Sequence, residues 1–189
     1  MKTERVWKMY WSATGTTKIV VSAIADRLAA ELGLAVETYD FTLPAARRTA
    51  PEFAAGDVVV FGTPTYAGRV PNVLLKYLET VKGGGAAAIP VVTFGNRAFD
   101  DALIELRDIL TDNGFRPFAG AAFVGEHSFS KTLAVGRPDV DDLLLAAQFA
   151  GQAAARLAGV DGQTPPVEVP GRARDDQSGK RAGIHGHLH

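Results

Sequence analysis

The chain has 189 residues, 47% hydrophobic and 22% charged, which is enough for one substantial core and too short for two. Lys and Arg total 20 against 21 for Asp and Glu, and a net charge of -1 gives a field too weak to grip nucleic acid or an anionic membrane. Cysteine is absent, which excludes disulfides, thiolate-ligated zinc or iron–sulfur centres and thiol nucleophiles, so any redox chemistry needs a bound cofactor.

Along the chain the apolar period switches repeatedly between two and about 3.6, the order expected when strands alternate with helices around a parallel sheet covered on both faces. Met1 to Trp11 holds no apolar run of signal-peptide length, and a cytoplasmic location is the expectation. Val6 to Trp11 is the first predicted strand. A helix follows from near Thr16, with Val20, Ile24 and Leu28 on one side and Gly33 as a left-handed stop. Ala35 to Tyr39 is the second strand, and Leu43 to Ala55 a Pro- and Ala-rich loop. Asp57 to Phe61, apolar almost throughout between Gly56 and Gly62, has the pattern of a central strand buried on both faces.

Pro71 opens a helix in which Val70, Leu74, Tyr77 and Leu78 share a face, and Ala88 to Phe94 is the fourth strand. The helix expected over Phe99 to Asn113 carries Asp101, Glu105, Asp108 and Asp112 as its wet stripe. Pro117 to Val124 is the fifth strand. Asp139 and Asp142 cap a last helix around Leu143 to Ala158, whose Gln148, Gln152 and Arg156 make one polar stripe and argue against a membrane span. From Asp161 onward the apolar periodicity is lost. The expected division is therefore a domain over 1–160 and a Gly-, Pro- and Arg-rich tail over 161–189, with His185, His187 and His189 read as a solvated end and no metal site.

In an open parallel sheet ligands sit beyond the carboxyl ends of the strands, where crossover direction reverses. The first strand ends in Ser12-Ala13-Thr14-Gly15-Thr16-Thr17, a run of hydroxyls with a glycine at a helix start, suited to one terminal phosphate. It has no lysine and lacks the three-glycine dinucleotide pattern. Ser12, Thr14, Gly15 and Thr17 resemble the Ser/Thr-x-Thr-Gly-x-Thr phosphate loop of the flavodoxin family. Thr63, Pro64, Thr65, Tyr66, Ala67 and Gly68 are similar to that family's second flavin loop, with Tyr66 able to lie against a fused ring. Thr93, Phe94, Gly95, Asn96 and Arg97 stand where the family places its third. The wording, with Glu126 and His127 after the fifth strand, looks most like the flavodoxin half of bacterial flavodoxin–ferredoxin fusion proteins, over residues 4 to 170. The cysteine-rich ferredoxin part has no counterpart here.

The resemblance implies an α/β, flavodoxin-like, three-layer fold with a five-stranded parallel sheet in order 2-1-3-4-5, and FMN as cofactor. It implies electron transfer with a redox partner protein or small electron acceptor, in a chain that could form a homodimer. Two other functions stay open, an NAD(P)H-dependent FMN- or quinone-type reductase and a redox-inactive module binding another phosphate ligand. His127 is a candidate proton donor, with the alternative of a hydrogen-bonded loop residue. Arg69 and Arg97 either lie beside the flavin or pair with a carboxylate such as Asp100 or Asp101. Trp11, Phe94 and Phe99 lie beside these loops, within reach of a flavin, and are assigned to the core.

Overall fold

The computed structural model describes residues 2–95, 98–127, 130 and 132–173. Its elements follow the strand–helix alternation: β1 Arg5–Tyr10, α1 Thr16–Leu32, β2 Ala35–Asp40, β3 Asp57–Pro64, α2 Asn72–Leu78, β4 Ala87–Phe94, α3 Ala102–Asp112, β5 Arg116–Pro117, β6 Ala121–Val124 and α4 Val140–Leu157. Every strand pairing is parallel and the order is β2-β1-β3-β4-β5, with β6 paired to β4 beyond β5. The unbroken apolar run of β3 is explained by two buried faces. Val58 and Val60 enter the core beneath α1 and α4, while Val59 and Phe61 enter the core beneath α2 and α3.

The fifth position departs from the single strand expected over 117–124. β4 pairs first with Arg116 and Pro117 and again from Ala121, so Ala88 to Val91 on β4 faces Pro117 to Ala121, one residue longer. The carbonyls of Ala86, Ala88 and Phe94 accept from this edge, so even-numbered residues of β4 point toward it. Pro90 belongs to that set and has no amide to give, and the ladder breaks there as a bulge.

Two further boundaries move. α3 begins at Ala102 rather than Phe99, because Asp100 takes a left-handed φ of 41° that no helix accommodates. Its expected wet stripe is also interrupted, since Glu105 is 4% exposed. The chain is held well past 160. Val167 donates its amide to the Pro117 carbonyl at 2.8 Å, Arg107 donates to the Val167 carbonyl at 3.0 Å, and the Arg172 amide reaches Asp101 Oδ1 at 2.8 Å. These are isolated contacts without a repeating apolar pattern, which is why periodicity does not reveal them. His185, His187 and His189 lie outside the described residues.

α4 buries Ala146, Ala150 and Ala153 against α1 and leaves Gln148, Gln152 and Arg156 in solvent. No helix among the described residues is long and apolar enough to cross a membrane. The start of α4 is a reciprocal cap: Asp139 Oδ1 accepts from the Asp142 amide at 3.0 Å and Asp142 Oδ2 from the Asp139 amide at 2.9 Å. Arg137 forks onto the Asp142 carboxylate, and that hydrogen bonding holds the Asp142 pKa below the ordinary value. A group depressed on folding contributes stability in full above its unfolded pKa, about 3.9, and loses it as the pH falls through the lower folded value. The urea midpoint should therefore drop as the pH is taken from about 5 to 2, and Asp142→Asn should flatten that part of the profile.

Candidate functional site

The carboxyl ends of β1, β3, β4 and β6 converge on a cleft of about 270 Å³, lined by Trp11, Ala13, Thr14, Thr16, Thr17, Pro64, Thr65, Tyr66, Ala67, Thr93, Phe94, Gly95, Gly125, Glu126 and His127. Gly15 precedes α1 at a φ of 88°, a conformation that favours glycine and turns the chain from strand into helix. Ser12 Oγ accepts from the Lys18 amide at 3.0 Å, while the Ser12 amide is tied to Thr42 Oγ1 at 2.9 Å. Among the described residues the amides of Thr14, Gly15, Thr16 and Thr17 have no acceptor, as the first turn of a helix leaves them. An anion beside this turn meets free N–H donors and the positive end of the helix dipole.

The second and third loops are tied to the first and to each other. Thr17 Oγ1 and Thr93 Oγ1 share a buried hydrogen bond of 2.8 Å, and the Thr65 amide donates to the Thr93 carbonyl at 2.7 Å. Tyr66 to Arg69 forms a tight turn with reciprocal amide-to-carbonyl bonds of 2.9 and 3.1 Å. Both central residues have positive φ, 50° at Ala67 and 75° at Gly68. The turn presents Tyr66, 44% exposed, edge-on to Trp11 with ring centroids 5.9 Å apart at 86°. Two polar atoms on the cleft residues, Thr65 Oγ1 and Trp11 Nε1, are buried without a hydrogen-bond partner among the described residues.

His127 packs on Gly95 so closely that a β-carbon there would stand 2.6 Å from His127 Cδ2. Its Nδ1 accepts from the Ser130 amide at 3.0 Å, so a neutral ring carries its proton on Nε2. Phe94 meets Phe99 at 5.3 Å, which puts Phe99 behind the cleft wall.

Of the residues expected from sequence, Thr14, Thr16, Thr17, Pro64, Thr65, Tyr66, Ala67, Thr93, Phe94, Gly95 and His127 line the cleft. Ser12, Gly15, Thr63 and Gly68 are not on its wall; Ser12, Gly15 and Gly68 shape the loops around it, and Thr63 is buried within β3. Asn96 and Arg97 lie outside the described residues. Trp11, expected in the core, packs half-buried against it and also lines the cleft, just past the end of β1 at Tyr10. Ala13 and Gly125 were missed because small turn residues carry no pattern of their own. Of the two alternatives for Arg69 the structure shows the carboxylate pairing, with Glu105 as the forked partner and the Asp101 charge acting on the guanidinium as well. Arg69 forks onto Glu105, Nε to Oε2 at 2.9 Å and a terminal nitrogen to Oε1 at 2.7 Å, and this hydrogen bonding raises the arginine's pKa. Among the described residues no group of three or more His, Cys, Asp or Glu is placed to hold a metal.

A family model described as a flavodoxin domain matches residues 9–94, from within β1 to the end of β4. The chain has the flavodoxin-like fold. It superposes on a flavodoxin of Streptococcus pneumonia TIGR4 with a TM-score of 0.55 at 18% identity, covering 80% of this chain and 98% of that one. A flavodoxin from the domain Archaea gives 0.57 at 14% identity, over 82% and 99% of the two chains. Rubredoxin oxygen:oxidoreductase of the anaerobe Desulfovibrio gigas also gives 0.57, at 17% identity, over 84% of this chain and 37% of that protein, of which the match is thus a minor part. Comparison of the sequence with curated proteins finds no match. Likenesses at these identities establish the fold, and the chemistry rests on the cleft.

The flavodoxin-like turn at Tyr66 carries one locally strained residue. Ala67 at a φ of 50° pays the left-handed penalty of an L side chain, roughly 1 kcal/mol, which glycine avoids. Ala67→Gly should raise the unfolding free energy by up to that amount, measured by urea titration without ligand.

Proposed function

We propose that the cleft binds flavin mononucleotide and that the protein transfers electrons through it. The observation that carries this reading is that the strand-to-helix turn at residues 14–17, whose amides have no acceptor among the described residues, lies at the same cleft as an aromatic wall of Trp11, Tyr66 and Phe94. Amides without an acceptor at a helix start favour a bound anion, and an aromatic wall offers a surface to a ring. The cleft therefore suits a molecule with a phosphate at one end and an aromatic body at the other. The flavin, when bound, supplies the electron chemistry.

Thr14, Thr16 and Thr17 give hydroxyls and amides to the phosphate, with Ser12 and Gly15 shaping the loop. Trp11, Thr65, Tyr66, Phe94 and Gly95 wall the remainder. At about 270 Å³ the cleft is slightly smaller than pockets that enclose a drug-sized ligand, roughly 300 to 1,000 Å³. An occupant of flavin size keeps an edge in solvent, which suits direct exchange with a redox partner protein or a small acceptor. The loop wording supports a kinship with the flavodoxin half of flavodoxin–ferredoxin proteins.

Purified protein mixed with FMN should take up about one equivalent per chain and show bound-flavin bands near 370 and 450 nm. Thr14→Glu, which sets a carboxylate among the phosphate donors, should weaken uptake tenfold or more, as like charges in a partly buried site demand. No uptake in a calorimetric titration, or tight binding of inorganic phosphate alone, would overturn the reading in favour of a redox-inactive phosphate module.

His127 and Glu126 within the cleft favour a second reading, a reductase that takes hydride from NAD(P)H and uses the imidazole to hold and deliver a proton. That reading expects steady NAD(P)H oxidation by the FMN-loaded protein with a quinone acceptor, slowed by His127→Gln. A carrier shows no such turnover in the stopped-flow spectrophotometer unless a separate reductase is added.

A further inference from the structure

The second loop is not held by its own residues alone. Three of its groups are fastened to the first two turns of α3: the Gly68 carbonyl accepts from the Asp101 amide at 3.0 Å, the Arg69 guanidinium forks onto Glu105, and the Val70 amide donates to Glu105 Oε2 at 2.9 Å. Gly68 lies so close to Asp100 that a β-carbon would stand 2.4 Å from its Oδ2. Glu105 is 4% exposed, and both of its oxygens are used by the loop. On a helix of this polarity a carboxylate in the first turn would ordinarily face water. Here it reaches a turn 35 residues earlier in the chain, whose other end carries Tyr66 at the cleft.

We propose that Glu105 is a positioning residue for the cleft: by clamping Arg69 and the Val70 amide it fixes the Tyr66–Arg69 turn, and with it the wall that Tyr66 makes against the bound ring. The inference deepens the flavin reading and rests on it. A carboxylate gives the guanidinium two parallel acceptors in one plane and leaves a lone pair for the Val70 amide. Glutamine keeps the size but sets an NH2 against the guanidinium, and lysine at 69 keeps the charge but not the fork.

The test is an FMN titration of the full chain as wild type, Glu105→Gln, Arg69→Lys, Tyr66→Ala and the double variant Glu105→Gln/Tyr66→Ala, with the visible circular dichroism of the bound flavin recorded for each. Glu105→Gln and Arg69→Lys should each weaken FMN about tenfold and alter the visible dichroism. In the Tyr66→Ala background Glu105→Gln should cost less than about threefold, since the wall it positions is gone. Wild-type affinity and dichroism in both Glu105→Gln and Arg69→Lys would overturn the proposal. So would an equal loss with and without Tyr66, the mark of a purely structural role. Arg69 has a part-exposed side chain, so Arg69→Lys keeps the question answerable should Glu105→Gln not fold. Failure of the wild type to take up FMN would sink the flavin reading instead. Hydrogen exchange then decides the clamp by itself: protection of the Tyr66 and Arg69 amides should fall in Glu105→Gln while α4 stays protected, and unchanged protection would refute it.

Discussion

The first turn of α1 sits closer to the sheet than side chains would permit, and the geometry of the cleft depends on that approach. A β-carbon on Gly62 would lie 2.3 Å from Val21 Cγ2 and 2.9 Å from Thr17 Cγ2, and one on Gly125 would lie 2.3 Å from Thr16 Cγ2. Two glycines at the ends of β3 and β6 thus let one helix start drop between them. The Thr17–Thr93 hydrogen bond then locks the helix start to β4. The start of α1, where the amides of residues 14–17 have no acceptor among the described residues, consequently lies at the gap between strand ends. Strand order matters equally: β1 and β3 are neighbours whose onward connections run in opposite directions, β1 to β2 and β3 to β4, and this leaves a crevice at their carboxyl ends.

On the opposite side of the crevice the constraint is electrostatic. Burying Glu105 in the company of Arg69 removes two charges from much of their water, and the desolvation is offset only because both carboxylate oxygens and the Val70 amide are matched in distance and direction. Such an arrangement adds little net stability over a well-packed apolar one. It is demanding about geometry, and the same turn holds a left-handed alanine that only a firmly attached loop would sustain.

The sequence made the layers legible where burial follows a period. Val58 to Phe61 alternate between two cores, α1 buries every third or fourth residue, and Gly33 ends it in the left-handed conformation expected, with φ at 65°. The first loop was legible for a different reason, because hydroxyls and glycine at a strand-to-helix junction have few other uses. Glu105 was misread as part of a solvated stripe because helical spacing reports which face a residue lies on, not what a distant loop brings to that face. The split at β5 and β6 turns on which way one proline's missing amide points, a fact of sheet register absent from any local pattern.

The segment beyond α4 shows the same limit from another side, and it bears on the site. Its bonds run from Val167 to Pro117, from Arg107 back to Val167, and from Arg172 to Asp101, whose amide in turn holds Gly68. Gly171 rests so near Ile104 that a β-carbon would lie 2.5 Å from its Cγ2. The strap therefore brackets α3 along its outer side and meets it at the turn that carries the second loop. A stretch with almost no apolar period is still structure when each of a few backbone groups finds one fixed partner, and here the last of those partners is also the first residue of the clamp on the cleft.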